Sequence, residues 1–167
     1  MASRDAAPIF KLPDGKPYRI GIVIAQWNSD ITQILLSGAK DTLFQSGVLP
    51  ENIEELSVPG SFELPWGARQ LMKADKKDAI ICLGCIIQGE TKHDEYIASA
   101  VANGIMQLSI ASGIPVVFGV LTTNTQEQAQ DRAGGKHGNK GIEAATTALQ
   151  LAFIKSGDKP AKKKIGF

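Results

Sequence analysis

Cysteine and histidine are scarce, with two of each in 167 residues. A tetrahedral zinc site needs four such ligands, usually as two closely spaced pairs, and the chain offers one pair, Cys82 and Cys85. Side chains three apart on a strand point to opposite faces, which argues against a redox pair as well. Two buried structural thiols in a reducing cytosol are expected, with no metal between them. Charge of one sign is also missing. Eighteen Lys and Arg stand against seventeen Asp and Glu, and a net charge of +1 gives no field to recruit nucleic acid. The one basic run, 159-KPAKKKIGF-167, reads as a solvated tail. No segment reaches the roughly 18 apolar residues of a membrane span, and the opening residues lack the apolar stretch of an export signal. The protein is therefore expected in the cytoplasm, without membrane partners. A G-x-G-x-x-G fingerprint and a Walker lysine are absent too, so nucleotide binding gains no support.

What is present suits one folded domain. Hydrophobic residues make up 43% and charged residues 21%, as in ordinary globular proteins. A chain of this length can bury about 70% of its unfolded surface. Four apolar runs read as strands: 19-RIGIVIAQ-26, 52-NIEELSV-58, 78-DAIICLGCII-87 and 114-IPVVFGVLT-122. The first, third and fourth are nearly continuous, as parallel strands covered on both faces should be. Helical periods lie between them. One follows Asn28, a suitable N-cap, with Ile31, Ile34, Leu35, Ala39, Thr42 and Leu43 on its inner stripe. Others cover 64-LPWGARQLMKAD-75, the stripe Ile97, Val101, Ile105 and Leu108, the short 125-TQEQAQDRA-133, and 139-NKGIEAATTALQLAFIKSG-157. Strict alternation of strand and helix, with no linker and no repeat, implies a single α/β domain around a four-stranded parallel sheet. The expected division is an arm over 1–18, a domain over 19–157 and a tail over 158–167. The arm is either flexible or an added edge strand.

In open α/β sheets, ligands bind beyond the carboxyl ends of the strands. Each strand here exits into unusual residues, and the four exits are expected to share one rim. Trp27 and Asn28 follow the first strand; Trp27 either covers the rim or stacks on an aromatic ligand. The second strand runs into 59-PGSFELP-65, where Ser61 can cap the next helix and Phe62 and Glu63 sit near its start. A carboxylate there favours the helix regardless of any ligand, so Glu63 has two readings. After the third strand comes 88-QGETKHDEY-96. Thr91 and Asp94 have near capping-box spacing, and Gly89 lets the backbone approach a ligand. Exposed N–H groups with the Thr91 hydroxyl suit a small phosphate, beside His93, a residue type that exchanges protons near neutral pH. The fourth strand carries Phe118 and leads to Arg132 and a glycine-rich loop, 134-GGKHGNKG-141. That loop is either a plain connector or a cationic cover.

Taken together, Trp-Asn after strand one, V-P-G-S-F-E-L-P, G-E-T-K-H-D-E-Y, F-G-V-L-T-T-x-x-x-E-Q-A-x-x-R-A-G and G-N-K-G resemble the 6,7-dimethyl-8-ribityllumazine synthase family of riboflavin biosynthesis, from about Arg19 to Gly157. The resemblance implies a flavodoxin-like three-layer sandwich and a condensation of 5-amino-6-(D-ribitylamino)uracil with L-3,4-dihydroxy-2-butanone 4-phosphate, releasing phosphate and water, with no cofactor or metal. It implies that Trp27 stacks on the pyrimidinedione, with Asn28 beside it. Ser61, Phe62 and Glu63 would hold the ribityl substrate, and Cys85, Ile86 and Ile87 would contact its ring. Glu90 and Thr91 would bind the butanone phosphate, with His93 as proton donor and acceptor. Phe118 and Arg132, with Lys136 and Lys140 nearby, would come from a neighbouring subunit of a pentamer. The short loop 134–141 resembles members that assemble twelve pentamers into a 60-mer shell. Trp27 stands where many members have Phe, and Lys92 where threonine is frequent. A non-catalytic lumazine or flavin carrier of the same fold is the alternative, though it would need neither the histidine nor the phosphate residues. A signalling module would want acids after strand one, where the chain has Trp27 and Asn28.

Overall fold

A computed structural model describes residues 11–157 of the chain. In chain order its elements are β1 (Ile20–Ala25), α1 (Ser29–Gln45), β2 (Ile53–Val58), α2 (Leu64–Ala74), β3 (Ala79–Ile87), α3 (His93–Ser112), β4 (Val116–Thr123), α4 (Gln126–Asp131), β5 (Ala133–Gly135), β6 (Gly138–Asn139) and α5 (Lys140–Ser156). Strands β1 to β4 form one parallel sheet in the order β2-β1-β3-β4. Each step is a strand, a helix and a return to the same sheet, so the four expected strands and the parallel architecture are found.

Two of the three continuous apolar strands, β1 and β3, are the central ones, while β4 lies at the sheet's edge. All six residues of β1 are buried, as are the first eight of β3, because helices cover both faces. On one face, Leu35 and Leu43 of α1 and Ala145 and Leu149 of α5 pack on Ile20, Ile22, Ile81 and Leu83. On the other, Leu64, Ala68 and Leu71 of α2 and Val101 and Ile105 of α3 pack on Val23, Ile80 and Val120. Cys85 belongs to the first core and Cys82 to the second, so the two thiols do face opposite ways. Helix α5 crosses α1 so closely at Gly141 that a Cβ there would fall on the Leu35 carbonyl.

Several local expectations are corrected. Ile34, placed on the buried stripe of α1, is 45% exposed, while Leu36 is buried instead. The arm's residues 11–18 add no strand; residues 1–10 and the basic tail 158–167 lie outside the described residues. The glycine-rich loop 134–141 is more than a bare connector. It holds the antiparallel pair β5 and β6, with Asn139 then capping α5 by accepting from the N–H groups of Gly141 and Ile142.

Candidate functional site: a cleft at the carboxyl edge of the sheet

The exits of β1, β2 and β3 are stitched together where the sheet ends. The Gln26 N–H donates to Val58 O at 2.9 Å and the Trp27 N–H to Pro59 O at 3.1 Å, joining the first exit to the second. The Asn28 side-chain amide donates to Cys85 O at 2.9 Å, joining the first exit to the third. Between them opens a cleft of about 970 Å³, lined by Trp27, Asn28, Ser61, Phe62, Glu63, Cys85, Ile86, Ile87, Thr91 and His93. Ten of the fifteen expected site residues therefore share one concavity. Its walls are mainly apolar, and Trp27 and Phe62 stand 73% and 59% exposed at its mouth. Two aromatic side chains left so open offer flat surfaces to a planar ligand.

The local chemistry differs from expectation at three turns. Asn28 occupies the N-cap position of α1, yet its side chain makes no cap bond; it adopts a left-handed backbone, φ 57° and ψ 47°, and reaches Cys85 instead. Ser61 does not cap α2. It is buried against Gly84, where a Cβ would come within 2.5 Å of its Oγ. The Glu63 carboxylate takes the turn instead, accepting the Gly60 N–H at 2.9 Å. The Thr91–Asp94 capping box also fails, because α3 starts two residues after Thr91, at His93, with Lys92 at its N-cap and no side-chain cap bond. His93 is thus the first residue of α3, exposed and facing the cleft. Glu90, also exposed, sits on the loop between the lining residues Gly89 and Thr91.

Tyr96, Ile97 and Ala100 line the cleft as well and escaped the sequence reading. With His93 they recur at three- and four-residue spacing, so one face of α3 forms a wall. That periodicity was the available signal.

Burial raises the Cys85 thiol to about 11, aided by the Asp30 carboxylate, and burial alone raises Cys82 to about 12. Both stay protonated at neutral pH, so neither is a nucleophile there. Asp30 in turn accepts a hydrogen bond from the Gln126 side chain at 2.5 Å, which ties the start of α4 to the start of α1.

The remaining expected residues lie elsewhere. The exit of β4 does reach the same rim, since Thr122 and Thr123 pair with Ile86 and Ile87. Phe118 does not, because it is the third residue of β4, in register with Cys82. It lines a separate hollow of about 390 Å³ at the sheet's open edge, with Met106 of α3 and Lys140, Glu143 and Leu151 of α5. Arg132 adjoins that hollow through Glu143, pairing at 2.7 Å, and its guanidinium also donates to the His137 carbonyl. Lys136 is 73% exposed and lies 3.7 Å from Asp131. Within one chain, the cleft and this cationic edge remain two separate places. Among the described residues, no cluster of His, Cys, Asp and Glu could hold a metal ion, and no helix is long and apolar enough to cross a membrane.

Comparison with known proteins meets this geometry. Residues 17–156 match the family model described as 6,7-dimethyl-8-ribityllumazine synthase. A protein of that name from Parabacteroides distasonis is 51% identical over 140 residues, covering 84% of this chain and 88% of the relative. Another, from Porphyromonas gingivalis, is 51% identical over 143 residues, covering 86% and 89%. A third, from Bacteroides fragilis, is 51% identical over 133 residues, covering 80% and 93%.

Proposed function

The chain belongs to the 6,7-dimethyl-8-ribityllumazine synthase family, and from that premise we propose how its cleft and its cationic edge divide the work. It is a transferase of riboflavin biosynthesis that condenses 5-amino-6-(D-ribitylamino)uracil with L-3,4-dihydroxy-2-butanone 4-phosphate to 6,7-dimethyl-8-ribityllumazine, releasing phosphate and water.

In our reading, the pyrimidinedione lies flat against the Trp27 indole, with its edge toward the backbone of Cys85, Ile86 and Ile87. Ser61, Phe62 and Glu63 hold the ribityl chain. Thr91 and Glu90 take the butanone phosphate, its charge met by Arg132, with Lys136 and Lys140 close by. His93 moves the protons needed for imine formation, phosphate elimination and ring closure. These steps demand orientation and proton transfer more than a strong nucleophile, which agrees with two thiols held neutral by burial.

The observation that carries this reading is the separation itself. The stacking and proton-transfer residues line one cleft, while Phe118 and Lys140 line a second hollow. A cytoplasmic homo-oligomer in which the edge of one copy closes the cleft of the next would bring them together. Mixing both substrates with the purified protein should produce lumazine absorbance and fluorescence; no product from either order of addition would overturn the reading. The short loop 134–141 leads us to propose the 60-mer over the free pentamer. Light scattering should then find a particle of about 1.1 MDa rather than about 90 kDa, given chains of 17.8 kDa.

A further inference from the structure

Asn28 is the only non-glycine residue with positive φ among the described residues. Such a backbone costs energy for any residue with a Cβ, although Asn tolerates it better than most. The usual local compensation, a side-chain bond capping the helix that follows, is not made. The amide is committed to a partner 57 residues away, the Cys85 carbonyl.

The sheet explains why that carbonyl needs a donor. The ladder between β1 and β3 ends at the pair Ile24 and Leu83, while β3 continues to Ile87. Along β3, Ile80 and Gln88 turn their N–H groups toward β4, bonding Pro115 O and Thr123 O. Alternation then points the Cys85 carbonyl the other way, toward β1, where no further strand backbone is paired with it. The Asn28 amide supplies the missing rung. Trp27 is consequently held from two sides, by its own N–H on Pro59 O and by the next residue's side chain on Cys85 O.

We infer that Asn28 is a positioning residue, whose amide fixes the gap between the Trp27 indole and the backbone of Cys85 to Ile87 and so sets the slot for a flat heterocycle. The inference rests on the cleft being the ribitylaminouracil site. It assigns the Asn28 amide N–H to the protein rather than to the ligand.

Two variants test it. Asn28→Gly keeps the left-handed backbone at no steric cost and removes the donor. Asn28→Asp also accepts that backbone but turns an acceptor toward a carbonyl oxygen. For Asn28→Gly, KM for ribitylaminouracil should rise about fivefold, as expected for one lost hydrogen bond, with kcat and KM for the butanone phosphate within about twofold of the parent. Asn28→Asp should raise the same KM at least as far. Calorimetric titration with ribitylaminouracil alone should show the same loss of affinity without relying on turnover. Unchanged affinity in folded variants would overturn the inference. So would an equal loss for both substrates, or failure of both variants to fold, since either outcome assigns Asn28 to the fold alone. If the parent protein binds ribitylaminouracil but makes no lumazine, the enzymatic reading fails and the affinity comparison still decides the role of Asn28. If the parent does not bind it, both fall.

Discussion

Arg132 and Glu143 meet through two contacts, Nη1 to Oε1 at 2.7 Å and Nη2 to Oε2 at 2.9 Å. The Lys140 ammonium adds a third contact to the same carboxylate at 3.3 Å. Partial burial pushes the Glu143 pKa upward, but the hydrogen bond and charge of Arg132, joined by Lys140, outweigh it and hold the carboxyl below its ordinary range. The forked geometry fixes the plane of the guanidinium at the edge of the protein.

Removing that guanidinium should weaken one substrate selectively. Arg132→Ala is expected to raise KM for the butanone phosphate roughly 10- to 100-fold, the range for a charge-assisted hydrogen bond. KM for ribitylaminouracil should change little. Steady-state kinetics with each substrate varied in turn checks this, and an unchanged KM for the phosphate substrate would refute the assignment of Arg132.

Glu143→Gln tests the clamp through pH. The folded pKa is depressed, so the carboxylate's contribution is complete above the unfolded carboxyl range and is lost as pH falls through the folded value. At neutral pH the substitution should cost no more than about 0.5 kcal/mol, because the Glu143 side chain is 40% exposed and solvent screens the pair. On the acid side, the parent's melting temperature should decline more steeply than the variant's. Parallel declines would show that the pairing does not contribute.

His93→Ala should slow kcat by roughly 100-fold and leave measurable turnover, since general acid–base catalysis by one side chain contributes at about that level. The remaining rate would come from holding two reactants together. Loss of all activity in a variant with an unaltered melting curve would contradict a mechanism led by orientation.

Gly141→Ala should be severely destabilising, by about 3 kcal/mol or more. The added methyl would land on the backbone of Leu35, which has no rotamer with which to yield. Thermal denaturation measures this, and a melting temperature close to the parent's would mean that α1 and α5 separate more easily than their packing suggests.

The strands and helices were legible because their signals are local and repeated. Continuous apolar runs marked β1, β3 and β4, and helical periods marked α1, α2, α3 and α5. Cleft-lining residues within six positions of the ends of β1, β2 and β3 were legible for the same reason, since a parallel sheet delivers its carboxyl ends to one rim. What failed were statements about a single side chain's partner. Asn28 has the residue type and place of a cap, whose oxygen would accept from the helix, but its amide instead donates to the Cys85 carbonyl, a partner distant in sequence. Thr91 and Asp94 had the spacing of a cap, yet α3 begins beyond Thr91. Ile34 fell on the apolar stripe of α1 but remains 45% exposed, while Leu36 is buried.

By itself, the sequence determined the four strands of the parallel sheet, the helices and the family, because hydrophobic periodicity and ordered motifs are properties of the chain alone. Only the tertiary structure decided that Phe118 lines a second hollow at the level of Cys82, and that the Asn28 amide replaces a rung of the sheet. Both depend on strand register, which sets the level of each residue along the sheet and is fixed only when all four strands pack together.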